Sequence, residues 1–317
     1  MNAGAPEEQA AFEAADRANF QVGGHKEKLP AQDQLTQLST YIQAHYPAPD
    51  KNPPWSENPS GAQAADTFDA RLPDRITHAA MLMLGAAVDH SMPGVAWGTQ
   101  VTTSPAPAEV GCAAEIITPS QPNGNWAISL HPGGWWKGSG VALEHSWRPE
   151  VAAAAERSGV TFLDLDYPLV PEHDLNKVIA AVQRAITWVR AGHPDAKVFA
   201  WGYSSGGALA VLNADRVDAL ALTFPHLDIT MLPGSVRAGV DFQEPPNLPP
   251  TLLQYANSDS IASTYPWFEQ WYDAANLQVR EYVSEHRIAT PEVIRQRVAD
   301  VADFFQAQSG TTTAAEA

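Results

Sequence analysis

Gly202-Tyr203-Ser204-Ser205-Gly206 sets a serine inside a G-x-S-x-G pentapeptide. An apolar run over residues 197–201 leads into it, and an Ala/Leu-rich helical stretch over residues 205–213 leaves it. A strand-to-helix turn this tight holds its central residue in a strained conformation and lifts the hydroxyl above the sheet, where it can attack a carbonyl carbon. Glycine on both sides lets the backbones pass closely. The N-terminus of the following helix favours negative charge as it develops. Ser204 is therefore the candidate nucleophile. The plainer alternative is a glycine-rich turn that caps a helix.

A second segment lies upstream, where the apolar run 126–130 enters His131-Pro132-Gly133-Gly134. Two glycines directly after a strand allow backbone N–H groups to turn inward toward a ligand oxygen, the place where a tetrahedral intermediate carries its charge. Gly133 and Gly134, together with Ser205, are the candidate oxyanion donors. Pro132 is not one, because proline has no N–H. Trp135, Trp136 and Tyr203 are the candidates for substrate contact, packing being an equal role for one of the two tryptophans. The 10 histidines include no H-E-x-x-H arrangement, and the one cysteine, Cys112, excludes both C-x-x-C and an intrachain disulfide. No metal and no other cofactor is expected.

The elements that must position these groups alternate. Apolar, strand-like runs occupy residues 111–117, 126–130, 160–165, 197–201, 217–223, 251–255 and 277–283. Helical patterns over 143–157, 175–191, 205–213, 265–275 and 291–306 fall between or after them. Continuous apolar strands separated by helices predict an α/β fold, with a mostly parallel central sheet covered on both faces. The first hundred residues read differently. Helices are expected over 7–19, 35–46 and 74–89, broken by the Pro-rich stretch PAPDKNPPWSENPSG, with Met81 and Met83 as core filler. The expected organisation is an N-terminal helical cap or flank over 1–105, a catalytic core over 106–310 and a disordered tail over 311–317.

Composition narrows the partners. The chain has 317 residues, 44% hydrophobic and 17% charged, enough for a sizeable core. Its formal charge of −17 makes nucleic acid and anionic membrane surfaces poor partners. No apolar run approaches the ~18 residues that span a bilayer, and no basic start followed by an apolar stretch marks a signal peptide. The expectation is a cytoplasmic protein acting on a small molecule, with self-association left open. Cys112 sits in an apolar stretch, where a small core residue is the ordinary role.

Taken in order, His131-Pro132-Gly133-Gly134, then DYPLVPEH at 166–173, then Gly202-Tyr203-Ser204-Ser205-Gly206-Gly207 resemble the hormone-sensitive-lipase-like branch of the α/β-hydrolase fold. The resemblance spans roughly residues 110–308. Pro132, Pro168 and Tyr203 depart from the family's usual glycine, arginine and acidic residue. It implies a chain order of serine, acid, histidine. Asp259 in YANSDS follows the run 251–255, where that branch places its acid, and Asp228 in FPHLDIT is the rival one strand earlier. His286, past the run 277–283, is the candidate base over His226. The implied activity is a serine carboxylesterase acting on small acetyl-like or other short-acyl esters through an acyl-enzyme. A deacetylase, amidase or lipase acting on an acylated lipid or sugar is the alternative. A ligand receptor without catalysis on the same scaffold is a more distant one.

Overall fold

The computed structural model describes residues 29–85, 88–242, 248–262 and 276–310. Its centre is an eight-stranded sheet made of β1 (Thr102–Pro105), β2 (Ala113–Thr118), β3 (Trp126–Leu130), β4 (Thr161–Asp166), β5 (Val198–Tyr203), β6 (Ala219–Thr223), β7 (Thr251–Ala256) and β8 (Leu277–Tyr282). The spatial order is β1-β2-β4-β3-β5-β6-β7-β8. β2 runs antiparallel to β1 and β4, and every other pair is parallel. All residues of β3 and β6 are buried, which is why those runs are apolar but for Ser129 and Thr223 instead of alternating.

Helices α1 (Ala31–His45), α2 (Ala62–Ala70), α3 (Leu72–Leu84), α4 (Arg148–Ser158), α5 (Leu175–Gly192), α6 (Ser205–Val211) and α7 (Pro291–Gln308) surround the sheet. Successive strand residues point to opposite faces. Ile128 and Leu130 therefore pack with Val178, Val182 and Leu209 of α5 and α6. Ala127, Phe162 and Phe199 pack instead with Val151 of α4 and with Val301 and Phe305 of α7. Phe199 and Phe305 stack with centroids 5.0 Å apart. Burying an aromatic side chain of this size contributes about 1.5–3 kcal/mol. Side chains cap the helices on these faces: Asp174 accepts from Lys177 N at the start of α5, and Thr290 accepts from Val293 N before Pro291 of α7.

The N-terminal helices hold a small core of their own. Leu38, Ile42, Leu72 and Ile76 pack with Ala289 and Ile294 at the entrance to α7. This anchors α1 and α3 over the carboxyl end of the sheet.

Several expectations need correction. The helix expected over 74–89 is Leu72–Leu84, and Gly85 at φ +87° ends it. Met81 is 51% exposed and fills no core. β1 was not expected at all, since its four residues are exposed and show no apolar pattern; it joins the sheet although it precedes position 106. The stretch expected as one helix over 143–157 begins as a single π turn, Leu143–Trp147, and continues as α4. The helices expected over 7–19 and 265–275, and the tail 311–317, lie outside the described residues. Cys112 is half-buried, and burial pushes its thiol up to about 11, where it stays protonated. No helix among the described residues is long and apolar enough to cross a membrane.

Candidate active site

The sheet order reverses beside β3. The chain leaves β3 through α4 to reach β4 on one side, then returns through α5 to β5 on the other. Loops at the carboxyl ends of two such strands diverge and open a crevice. Leu130 lies opposite Gly202 in the β3–β5 register, so the loop 131–134 and the turn 203–206 start side by side.

Ser204 occupies that turn at φ +56°, ψ −119°, a conformation that persists only where its surroundings over-determine it. Here they do. Its N–H donates to Thr223 O at 3.0 Å, and its carbonyl accepts from His226 N and Gly207 N, each at 3.0 Å. The glycines are steric requirements: a Cβ on Gly202 would stand 2.1 Å from Gly206 O, and one on Gly206 would stand 2.2 Å from Leu130 O.

His286 lies 2.9 Å from Ser204 Oγ through Nε2 and 2.7 Å from Asp259 Oδ2 through Nδ1. The N–H groups of Ile261 and Ala262 donate to Asp259 Oδ1 at 2.8 and 2.9 Å. Burial is the largest influence on Asp259 and pushes its carboxyl up, but the His286 hydrogen bond and charge and the two backbone donors outweigh it and hold it below the ordinary range. Burial is also the largest influence on His286 and lowers its pKa, against the raising effect of Asp259. A neutral imidazole between an ionised carboxylate and a hydroxyl is arranged to accept the hydroxyl proton. The Tyr203 hydroxyl donates to the His286 carbonyl oxygen and ties the histidine loop to the turn.

The glycine loop is held from behind. The His131 ring is fully buried and stacks on Tyr167 at 4.2 Å, and the Tyr167 hydroxyl donates to His131 O at 2.7 Å. Burial lowers the His131 pKa to about 4, so this histidine is neutral and structural. Gly133 and Gly134 take φ +152° and +62°, and a Cβ on Gly133 would stand 1.7 Å from Lys137 O. Among the described residues no acceptor takes the N–H of Gly133, Gly134 or Ser205. Unpaired donors beside a nucleophile are what an oxyanion needs.

The rivals take no part in the row, although His226 adjoins it through its N–H bond to Ser204 O. Asp228 Oδ1 accepts from the N–H and hydroxyl of Thr230 at 2.9 and 2.5 Å and so serves its own loop. His226 Nδ1 lies 3.0 Å from Ile261 O. Trp135 and Trp136 correct the expected substrate contacts: both are buried in the core with Tyr167 and Val170, and neither lines the cavity beside the site. That cavity holds about 70 Å³ and is lined by Gly133, Tyr203 and His286, with Trp147 and Phe224 as its other aromatic walls. Leu72 and Ile76 of α3 close it from above.

Charged residues in its wall escaped the sequence reading. Arg297 of α7 pairs with both oxygens of Glu150 of α4 at 2.7 and 2.8 Å, and its guanidinium lies 5.2 Å from the Tyr203 ring centroid. Asp69 of α2 accepts from Lys51 and Lys137, each at 2.9 Å, and from Arg287. Burial is the largest influence on Asp69 and raises its pKa, yet the three cations together hold it well below the usual carboxylate range. No local motif announces these pairs, because each joins residues distant in sequence. Among the described residues, no cluster of His, Cys, Asp and Glu could hold a metal ion.

A family model described as alpha/beta hydrolase fold matches residues 127–303. Solved structures share the architecture. An esterase from the bacterial hormone-sensitive lipase family superposes with a TM-score of 0.63 at 16% identity, over 89% of this chain and 100% of its own. An esterase/lipase from an uncultured bacterium gives 0.61 at 17% identity, over 88% and 99%. EstE5 soaked with p-nitrophenyl butyrate gives 0.60 at 18% identity, over 88% and 99%. At these identities the likeness is one of fold. No curated protein matches the sequence.

Proposed function

The chain belongs to the alpha/beta hydrolase fold family, and on that footing we propose that it is a serine carboxylesterase for short-acyl esters. The observation that carries the reading is the hydrogen-bonded row Ser204–His286–Asp259 with unpaired N–H groups beside it. In this reading His286 Nε2 takes the Ser204 proton as Oγ attacks the ester carbonyl, and Asp259 stabilises the imidazolium that forms. The N–H groups of Gly133, Gly134 and Ser205 receive the oxyanion. His286 then gives its proton to the departing alcohol. Water, deprotonated by the same histidine, releases the acid from the acyl-serine.

The size limit follows from the cavity. A volume of about 70 Å³, against the ~30 Å³ that one water occupies in the liquid, leaves room for a short chain only. That suits acetyl to butyryl chains. α2 and α3 act as the cap that closes it, α3 through Leu72 and Ile76.

A series of p-nitrophenyl esters from acetyl to dodecanoyl tests the reading, together with an aryl phosphonate followed by intact-mass analysis. The expected result is kcat/KM highest at two to four carbons and one adduct on Ser204. Folded protein that neither cleaves the esters nor forms the adduct overturns it.

A further inference from the structure

A plain aliphatic ester gives its enzyme no reason to surround the substrate with cations, least of all in a chain of formal charge −17. Yet the cavity wall carries Lys137, Arg287 and Arg297 against the carboxylates of Asp69 and Glu150. Arg297 is 4% exposed and spends Nη2 on both Glu150 oxygens, which leaves its buried Nη1 with no hydrogen-bond partner. A buried guanidinium N–H without an acceptor is costly and calls for an explanation. Arg287 directs Nη1 at Asp69, and among the described residues no acceptor takes its Nε or Nη2. Asp69 cannot supply one, because it already receives Lys51, Lys137 and Arg287. Asp66 lies behind Gly138, outside the lining, and burial raises its carboxyl, so in the wall itself three cations face two carboxylates.

We propose that this cavity binds a carboxylate carried by the substrate, so that the enzyme prefers short esters bearing an anionic group. The inference rests on the esterase reading and names its substrate class. A carboxylate is planar and accepts two parallel N–H bonds, which matches a guanidinium edge. The acid –CH2–CH2–COO⁻ is a short chain, in keeping with a cavity of about 70 Å³. The excess of cations is also visible in Lys51. Burial first, then the Arg287 charge, lowers it to about 8 in spite of Asp69.

The carboxylate can sit on the acyl half or on the alcohol half, and two ester pairs separate these. The first is monoethyl succinate against ethyl butyrate, and the second is 2-acetoxypropanoate against its methyl ester. All are followed in a pH-stat at pH 7.5. The expected result is a preference of about tenfold or more for the anionic member of one pair, the scale of a charge-assisted bidentate contact. That pair identifies the half that carries the carboxylate. The ratio should fall toward one in Glu150→Gln/Arg297→Met, which removes both buried charges together and strands neither. Arg287→Met reads the same ratio if the double variant does not fold.

Binding of monoethyl succinate and of ethyl butyrate to Ser204→Ala, measured by calorimetry, gives a readout free of catalysis. Ratios near one in both ester pairs, with equal binding of the two ligands, overturn the carboxylate site and leave the esterase standing. Anion-selective binding by a protein that cleaves no ester keeps the site and overturns the esterase reading.

Discussion

Gly206→Ala is the smallest change that should disable the proposed chemistry without touching a reacting group. An added Cβ would lie 2.2 Å from Leu130 O and 2.7 Å from His131 O, whereas real Cβ contacts are essentially never under 3.0 Å. Both neighbours are backbone at the end of β3, so no side chain can swing aside. The turn and the glycine loop must separate by about 0.8 Å. A misplacement near 1 Å costs on the order of 10²-fold in rate, and losing one oxyanion donor costs roughly 10²–10³. We therefore expect kcat on p-nitrophenyl acetate to fall about 10²-fold. Overpacking of this kind costs about 1–3 kcal/mol of stability, or a few degrees in Tm for a chain of this size. Gly207→Ala is the comparison, because its Cβ meets the Pro225 ring at 2.8 Å and not the glycine loop. Its effect should stay within about tenfold. Kinetics on protein shown to be folded by circular dichroism and a melting curve decide the matter. A folded Gly206→Ala whose kcat stays within threefold of the parent would refute the claim that turn and loop are held in register by contact.

Asp259→Asn should lower kcat by roughly 10³–10⁴ by presenting the wrong partner to His286 Nδ1, while Asp228→Asn, which loses only its Thr230 contacts, should stay near the parent. Steady-state kinetics on the two variants tell them apart, and the opposite order moves the acid to the earlier strand. The acid limb of kcat/KM should lie below the ordinary histidine value of about 6.5, because burial lowers the His286 pKa. Activity is then lost as pH falls through that lowered value and the imidazole becomes charged, and a pH–rate profile with its midpoint above 6.5 contradicts this. Trp135→Phe should leave KM for acetyl esters unchanged and cost about 1–3 kcal/mol in a urea melt, from the buried ring volume it removes and not from its indole Nε1, which has no partner.

What could be read from the sequence follows from how local each signal is. β3 begins and ends where the apolar run does, because both ends are marked by sharp polarity changes and the strand is buried on both faces. The turn at Ser204 is readable for the same reason: strand, glycine, serine and helix are consecutive, and the geometry they impose is steric. Ser204, His286 and Asp259, singled out by order along the chain, lie in one hydrogen-bonded row. What escaped was set by distant partners. β1 owes its place to pairing with β2 and not to its own exposed residues. Trp135 and Trp136 looked like pocket walls because they follow the glycine loop, but the positive φ of +77° at Trp135 carries the chain into the core instead. Arg297 and Glu150 carry no local signal in the sequence, and only the packing of their two helices pairs them at the cavity.

The reversal of strand order beside β3 also sets when during folding the site can exist. Its glycine loop and its serine come from neighbouring strands with all of β4 and α5 between them in the chain, and its histidine arrives 82 residues after the serine. No short fragment holds two of these groups in place. Parallel pairings of this range close large loops before any contact repays the lost entropy, so they form slowly. In a refolding chain, secondary structure should therefore return first and ester cleavage last. In a chain growing from the ribosome, the site remains incomplete until the segment carrying His286 has emerged and β8 has docked on β7. Activity is thus a clock for completed topology, and its lag behind the circular dichroism signal measures how long the partly wound sheet survives.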